Sequence, residues 1–374
     1  MANVLSLIPY NIFPPKLGGQ KGIALFNQYL SQHHNLICVT IKNNDPRFAS
    51  YKVFNILSDS KFRYLNFLYF FKVRKIIHEN RITDLIIEHP YLGWLGILLK
   101  WFCNVQLFVH SHNIEGLRFK SNGKWWWRIL LSYEAYVHRN ANFTFCITSE
   151  DRLYMIKKMW VTPANSMVVT YGIEMESPPS YEEKIIARRY LESEHGISQE
   201  SFIFLFNGTL DYAPNLSALQ TILFYINPIF RGYQIPYKII ICGKNLPDHM
   251  ENLKSFQDDN IIYAGFVDDI SVYFKGSDVF INPIVDGGGI KTKLVEALGN
   301  NMNAVSTENG AIGINPEICN DKLYLVKGLD WNDFALKMRL ALYSRNSIPE
   351  LYYEHFSWKN IAVLASGCFR ERDG

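Results

Sequence analysis

The amino-acid sequence predicts an α/β protein of two domains, each a parallel β-sheet covered by helices. Three observations carry the prediction. Short runs rich in Val, Ile and Phe alternate with longer helix-like stretches through both halves of the chain. A length of 374 residues exceeds what a single hydrophobic core ordinarily supports. Between the halves, Gly172, Pro178 and Pro179 interrupt regular structure and mark a hinge. The expected division is residues 1–175, residues 176–355 and a segment 356–374 that docks as a helix back toward the first domain.

In the first domain, strands are expected at Val4 to Ile8, Leu36 to Ile41, Asp84 to Glu88, Val105 to His110, Phe143 to Thr148 and Ser166 to Thr170. Each is a short apolar run, as a sheet covered on both faces requires. Helices fall between them at Lys21 to Leu30, Lys61 to Asn80, Trp94 to Phe102, Trp125 to Arg139 and Glu150 to Met159. A charged helix, Glu182 to Glu194, opens the second domain. Its strands are expected at Phe202 to Phe206, Tyr237 to Cys242, Asn260 to Tyr263, Val279 to Asn282 and Asn303 to Ser306. Helices there include Asn215 to Phe224, Asp269 to Lys275 and Lys291 to Leu298. Trp358 and the run Ile361 to Leu364 place a last helix in the tail.

A composition of 48% hydrophobic and 20% charged residues excludes disorder, and the absence of a fixed repeat excludes fibrous and solenoid architectures. The apolar stretch Tyr91 to Leu99 is half the roughly 20 residues a spanning helix needs. Asn3 to Ile8 is strand-like and lacks the basic start and cleavage site of a signal peptide, so a cytoplasmic location is expected. The six cysteines, Cys38, Cys103, Cys146, Cys242, Cys319 and Cys368, are scattered and read as reduced packing residues. Net charge of +3 conceals an asymmetry. Residues 1–175 hold 20 Lys and Arg against 10 Asp and Glu, whereas the remainder holds 18 against 25. A basic first half suits an anionic partner such as a phospholipid surface.

Three segments carry candidate chemistry. Near the start, Pro14 to Gly22 follows a strand and precedes a helix, where Gly18 and Gly19 let backbone approach a phosphate or sugar. It is not the G-x-G-x-x-G of a dinucleotide fold. At the end of the fourth expected strand, His110-Ser111-His112-Asn113-Ile114-Glu115 gathers titratable side chains on the sheet edge where open α/β folds bind ligands. His112 and Glu115 suit proton transfer and Asn113 a sugar hydroxyl. Metal binding is not expected, because no nearby spacing supplies the two histidines with further ligands.

The third segment runs from Asn282 to Leu298, a strand ending in Gly287-Gly288-Gly289 before a helix that begins with Lys291 and Lys293. Loop amides, a helix N-terminus and ammonium groups are what a diphosphate requires. Glu296 lies further along the helix, placed for ribose hydroxyls. Gly208-Thr209, Gly243 and Gly265 fall at other strand ends of the same sheet, along the edge a nucleotide would use.

Together these segments resemble glycosyltransferase family 4, retaining enzymes of the GT-B fold that use nucleotide-sugars. Phe206 to Asn215 is similar to the opening of the family's second domain, and Gly287 to Ala297 to its G-x-G-x-[KR]-x-K-x-x-E-A donor segment. Gly265 to Asp269 and Thr307 to Gly313 fit its intervening loops; His112-Asn113-Ile114-Glu115 is similar to an H-N-x-E segment of one branch. The resemblance implies two Rossmann-like domains with parallel sheets facing a central cleft, the first holding the acceptor and the second the nucleotide-sugar. Donor-binding residues would be Gly208, Thr209, Gly243, Gly265, Gly287, Gly288, Gly289, Lys291, Lys293 and Glu296. Catalysis would fall to His112, Glu115 and Lys293, with Gly18, Gly19 and Asn113 on the acceptor side. No metal and no cofactor beyond the nucleotide-sugar are implied, since lysine and helix dipole stabilise the leaving diphosphate.

Two departures stand out. Gly288 occupies a position often acidic in the family, and Asn301 and Asn303 replace its glycine and proline. The implied activity is transfer of a hexose to a glycan or lipid-linked oligosaccharide in cell-surface polysaccharide synthesis. A non-catalytic subunit of a glycan-assembly complex and a GT-B nucleotide-sugar epimerase are the alternatives. Trp94, Trp101, Trp125 to Trp127 and the Phe- and Lys-rich Phe62 to Lys75 add a peripheral membrane contact at the inner face. No nucleic-acid module is recognised.

Overall fold

The computed structural model describes residues 1–15 and 18–369, with 257–259 as backbone only. Lys16 and Leu17 of the predicted glycine loop and residues 370–374 of the predicted tail lie outside the described residues. The chain divides into two compact units, Met1–Gly172 with Phe356–Gly374, and Ile173–His355.

The first unit contains strands β1 (Asn3–Ile8), β2 (Asn35–Ile41), β3 (Lys52–Leu57), β4 (Asp84–Glu88), β5 (Gln106–Ser111), β6 (Phe143–Cys146) and β7 (Ser166–Val168). Helices α1 (Gly18–Leu30), α2 (Leu68–Glu79), α3 (Gly93–Cys103), α4 (Glu115–Ser121), α5 (Trp127–Asn140) and α6 (Ser149–Met159) connect them. All pairings are parallel, in the order β3-β2-β1-β4-β5-β6-β7. Every residue of β4 is buried, as a central strand covered on both faces must be. Leu5, Leu7, Leu85, Ile87, Leu107 and Val109 pack on one face against Val73, Ile76 and Leu95 of α2 and α3. On the other face Phe26 of α1 meets Phe145, and Phe369 stacks on Phe108.

The second unit contains β8 (Phe202–Asn207), β9 (Tyr237–Cys242), β10 (Ile261–Gly265), β11 (Val279–Asn282), β12 (Asn303–Thr307) and β13 (Leu323–Val326). Its helices are α7 (Tyr181–His195), α8 (Ala213–Thr221), α9 (Asn227–Arg231), α10 (Ile270–Gly276), α11 (Thr292–Gly299), α12 (Trp331–Ala341) and α13 (Glu350–Phe356). The sheet is again parallel, ordered β10-β9-β8-β11-β12-β13. Phe204, Phe206, Ile239, Ile241, Ile281 and Val305 form its core with Leu219, Phe334 and Met338 from the covering helices. Ser180 and Glu183 form a reciprocal capping box at the start of α7, and Gly196 ends it in the left-handed conformation. Helix α14 (Trp358–Ser366) belongs to the first unit, where the Trp358 ring packs against Tyr171.

Two α/β domains with parallel sheets are therefore present. The strands unforeseen by the sequence, β3 and β13, both lie at sheet edges. Helices α4, α9, α12 and α13 were likewise unforeseen.

Candidate active site

In each unit the candidate residues lie at the carboxyl ends of the strands. In the first unit β4 and β5 run side by side, with Glu88 directly opposite His110. The Glu88 carboxylate is fully buried, and its Oε2 lies 2.7 Å from Nε2 of His112 and 3.1 Å from Nδ1 of His110. Burial pushes the Glu88 carboxyl up, but His110 and His112 more than reverse this and hold it at about 2. Burial, together with His110, lowers the pKa of His112. An ionised Glu88 accepting from Nε2–H leaves Nδ1 as the nitrogen of His112 able to take a proton.

A second cluster lies beside the first. Glu115, also fully buried, receives Nε of Arg118 at 2.8 Å and the hydroxyl of Tyr91, and its Oε1 is 3.1 Å from Nδ1 of His89. Burial raises its pKa, and His89 and Arg118 bring it down to about 2. His89 holds φ at 62°, a strained value for a residue with a side chain, where β4 turns into α3. The carboxylate of Glu134 in α5 accepts the backbone N–H groups of Glu115 and Gly116, both at 2.9 Å, and so caps α4. His89, His112, Asn113, Gly19, Gln20 and Tyr10 line a cavity of about 360 Å³.

The structure thus brings together Gly19, His112 and Asn113, while Glu115 lies beneath them in an ion-pair network. Gly18 begins α1. Sequence reasoning missed Glu88, His89, Tyr91 and Arg118. Glu88 gave no sequence signal of its own beyond ending an apolar strand, because the pairing of β4 with β5 is what sets it opposite His110. It also corrects the argument about metal. The sequence offered His110 and His112 no further ligand, yet Glu88 supplies one, and the ligand atoms of the three lie within 4.8 Å of one another. Among the described residues, these three are the set that could hold a cation.

In the second unit the loops after β8, β9, β10 and β11 share one edge. Gly243 is required by close approach, since a Cβ there would lie 2.0 Å from the carbonyl oxygen of Gly208. Asn215 donates to the Thr209 carbonyl at 2.9 Å and fixes the first loop. Gly265 closes β10. Gly287 and Gly289 hold φ at 95° and 69°, which turns the chain between β11 and α11. Lys291 donates from Nζ to the carbonyls of Gly287 and Gly289 at 2.9 Å and of Gly288 at 3.3 Å, so it braces the loop from within. Lys293 and Glu296 share one face of α11, Nζ to Oε2 2.7 Å, both part-exposed.

The departures at Asn301 and Asn303 have structural roles. Asn301 takes the left-handed φ of 57° that glycine would supply, and its Oδ1 accepts Ile348 N–H at 2.9 Å. Asn303 donates its side-chain amide to the Ala341 carbonyl at 2.6 Å, tying the end of α12 to β12.

Residues 18–177 match the model described as Glycosyltransferase Family 4, and residues 201–343 match the model described as Glycosyl transferases group 1. The two matches support a glycosyltransferase of the family 4 type. A relative from Escherichia coli, UDP-Gal:alpha-D-GlcNAc-diphosphoundecaprenol alpha-1,3-galactosyltransferase, is 25% identical over 218 residues, 56% of this chain and 54% of that protein. An uncharacterized 44.6 kDa protein of the Klebsiella pneumoniae cps region is 30% identical over 135 residues, 33% of this chain and 35% of that protein. The match therefore spans about half or less of each relative's length. A glycosyltransferase from Rickettsia africae superimposes with a TM-score of 0.73 at 12% identity, covering 97% of this chain and 96% of that one. Anabaena HepE, solved in complex with UDP, does so with a TM-score of 0.71 at 12% identity, covering 98% and 99%. The fold of this glycosyltransferase is GT-B.

Proposed function

We propose that this family 4 glycosyltransferase moves a hexosyl group, with retention of configuration, from a nucleotide-sugar to a lipid-linked saccharide in cell-surface polysaccharide synthesis. The observation that carries the reading is the α11 constellation, in which the Gly287–Gly289 backbone, the α11 N-terminus and Lys293 offer donors for a diphosphate, with Glu296 one turn beyond for the ribose. HepE has been solved with UDP and with UDP-glucose, and the E. coli relative is a galactosyltransferase of a diphosphoundecaprenol-linked sugar. Both support a nucleoside diphosphate donor and a lipid-linked acceptor. In this reading departure of the diphosphate is assisted by Lys293 and helix α11, and His112, oriented by Glu88, acts at the acceptor side without a metal.

The test is a thermal-shift series with UDP, GDP, ADP, TDP and their sugar conjugates, with and without EDTA. Saturation at a hundred times the dissociation constant adds about 2.7 kcal/mol to a native-only site. Selective stabilisation by one base, indifferent to EDTA, is the expected result. No response to any nucleotide would move the reading to a non-catalytic subunit.

A peripheral contact with the inner face of the membrane belongs to the same reading. Phe62, Leu65, Phe67, Leu68 and Phe71 are exposed around α2, with Lys61, Lys72, Arg74 and Lys75 exposed among them. The Phe67 ring packs against Trp94 and Phe70 meets Phe102 edge to face, so the patch continues onto α3, where Trp101 is exposed. Trp125 is exposed on a separate segment, whereas Trp94, Trp126 and Trp127 are half-buried. Among the described residues no helix is long and apolar enough to cross a membrane.

A further inference from the structure

Two histidines face the cavity of about 360 Å³ in the first unit, and each is backed by a different buried carboxylate. His112 meets Oε2 of Glu88 through Nε2 at 2.7 Å, and His89 meets Oε1 of Glu115 through Nδ1 at 3.1 Å. Both carboxylates are fully buried, whereas both imidazoles are 15% exposed and line the cavity. An ionised carboxylate only accepts, so it draws the imidazole proton to the nitrogen that faces it and leaves the other bare. The bare nitrogens are Nδ1 of His112 and Nε2 of His89. Among the described residues neither has a hydrogen-bond partner, and neither is sealed from solvent. His110 differs, since both its nitrogens are sealed and cannot reach a ligand.

His89 is held by more than its carboxylate. Its ring lies 4.6 Å from that of His112 and 5.8 Å from that of Tyr91, at interplanar angles of 32° and 26°, and Tyr10 meets it edge-on at 5.2 Å. Glu115 in turn takes Nε of Arg118 and the hydroxyl of Tyr91. The backbone of His89 keeps its φ of 62° under this restraint. Strain of that kind persists only where the surroundings over-determine the conformation, and it concentrates at ligand sites. Here stacking, ion pair and strain together present one nitrogen to the cavity.

The wall selects what can meet it. Among the described residues it holds no Lys, Arg, Asp or Glu, so no side-chain charge is there to pair with an ionic ligand. Asn113 adds a carboxamide, and Gly19 and Gln20 add backbone N–H groups from the first turn of α1. Two bare nitrogens call for two O–H donors at once. With the rings 4.6 Å apart, one small polyol reaches both, each over a hydrogen bond of about 2.8 Å.

We propose that His89 contacts substrate alongside His112, and that the two imidazoles together hold one neutral sugar ring through two of its hydroxyl groups. This role rests on the acceptor-side reading of His112 and deepens it. Oxygens of the sugar accept from Asn113 and from the start of α1. Glu115, Arg118 and Tyr91 act through His89 and are positioning residues.

The test is long-range proton–nitrogen NMR of the full chain with isotope-labelled histidine, the signals being assigned by through-bond transfer and by His89→Asn. Free protein should show His89 protonated at Nδ1 and His112 at Nε2. Methyl glucoside, methyl galactoside and N-acetylglucosamine are then added singly. At least one should shift the bare nitrogens of both histidines together, and inorganic phosphate should shift neither. Asn keeps an amide toward Glu115 and suits a positive φ no worse than His, so His89→Asn should fold and retain nucleotide binding while weakening that sugar about fivefold or more, the loss of one hydrogen bond. If the variant melts early, the wild-type spectra decide the question. His89 is removed from the site if its proton sits on Nε2, if His112 shifts alone, or if His89→Asn binds the sugar as wild type. No shift by any of the three sugars at about 100 mM, a hundred times a millimolar dissociation constant, overturns the sugar assignment. A shift by a nucleotide-sugar alone overturns it too, since the ring would then belong to the donor. Nucleotide binding is read separately by thermal shift, so a chain that takes nucleotide but no sugar loses this role and keeps its donor site.

Discussion

Lys293 and Glu296 form a part-exposed pair three residues apart on α11, and such pairs add little to stability. Replacing either should therefore leave the fold intact while removing the donor contact proposed for it. We expect Glu296→Ala and Lys293→Ala each to lower turnover by more than about tenfold, or 1.4 kcal/mol of barrier. Wild-type rates in both, with unchanged unfolding, would show that this face of α11 does not meet the donor. His112 has a different signature. Its Nε2 is engaged by Glu88, so His112→Ala should reduce transfer far more than nucleotide binding, and the reverse pattern would remove it from the acceptor side. His112 was legible in the sequence because it ends a strand in a motif; Glu88 was not, because only the pairing of β4 with β5 sets it opposite His110.

At the scale of the element, α4 depends on a side chain from α5. Glu134→Ala leaves the N–H groups of Glu115 and Gly116 without their partner and should cost about 2 kcal/mol or more in urea unfolding, with Glu134→Gln costing less. Burial raises the Glu134 pKa to about 8, although the two N–H groups oppose it. A raised carboxyl pKa means the folded state holds its proton more tightly. Its contribution is full below the unfolded value of about 4.3 and is lost as pH rises toward 8. Glu134→Gln should flatten that part of the stability profile, and an unchanged slope would assign it to other groups. Strand β3 shows why some elements escaped the sequence reading. As an edge strand it is largely half-buried, so Lys52 to Leu57 lacks the apolar run that marks β4. The helix expected to end at Phe224 instead continues through a π-turn, Ile222–Ile226, into α9. Pro228 lacks the N–H that would have closed an ordinary turn, and the wider turn accommodates it.

For the whole molecule, the first unit is completed by the end of the chain. Trp358 is 2% exposed, and a Cβ on Gly172 would lie 2.5 Å from its ring. Trp358→Ala should cost the first unit about 3 to 5 kcal/mol and lower its melting transition. Unaltered melting would mean α14 adds nothing to that unit. The basic aromatic patch around α2 acts at the same scale. Flotation with vesicles containing anionic lipid should carry the protein at low salt, release it at high salt, and fail for Phe67→Ser combined with Phe71→Ser. Absence of lipid binding at low salt would end the membrane reading.

Taken by itself, the sequence determined the α/β class, the two sheets, most central strands and the glycine- and lysine-rich turn into α11. These are local signals: buried strands read as apolar runs, and a phosphate-type loop needs glycine and lysine close together in the chain. Tertiary structure alone decided the edge strands and the Glu88 and Glu134 contacts. Each of these joins residues distant in sequence, and a carboxylate or an ammonium reveals its role only through the charge and burial that its neighbours impose.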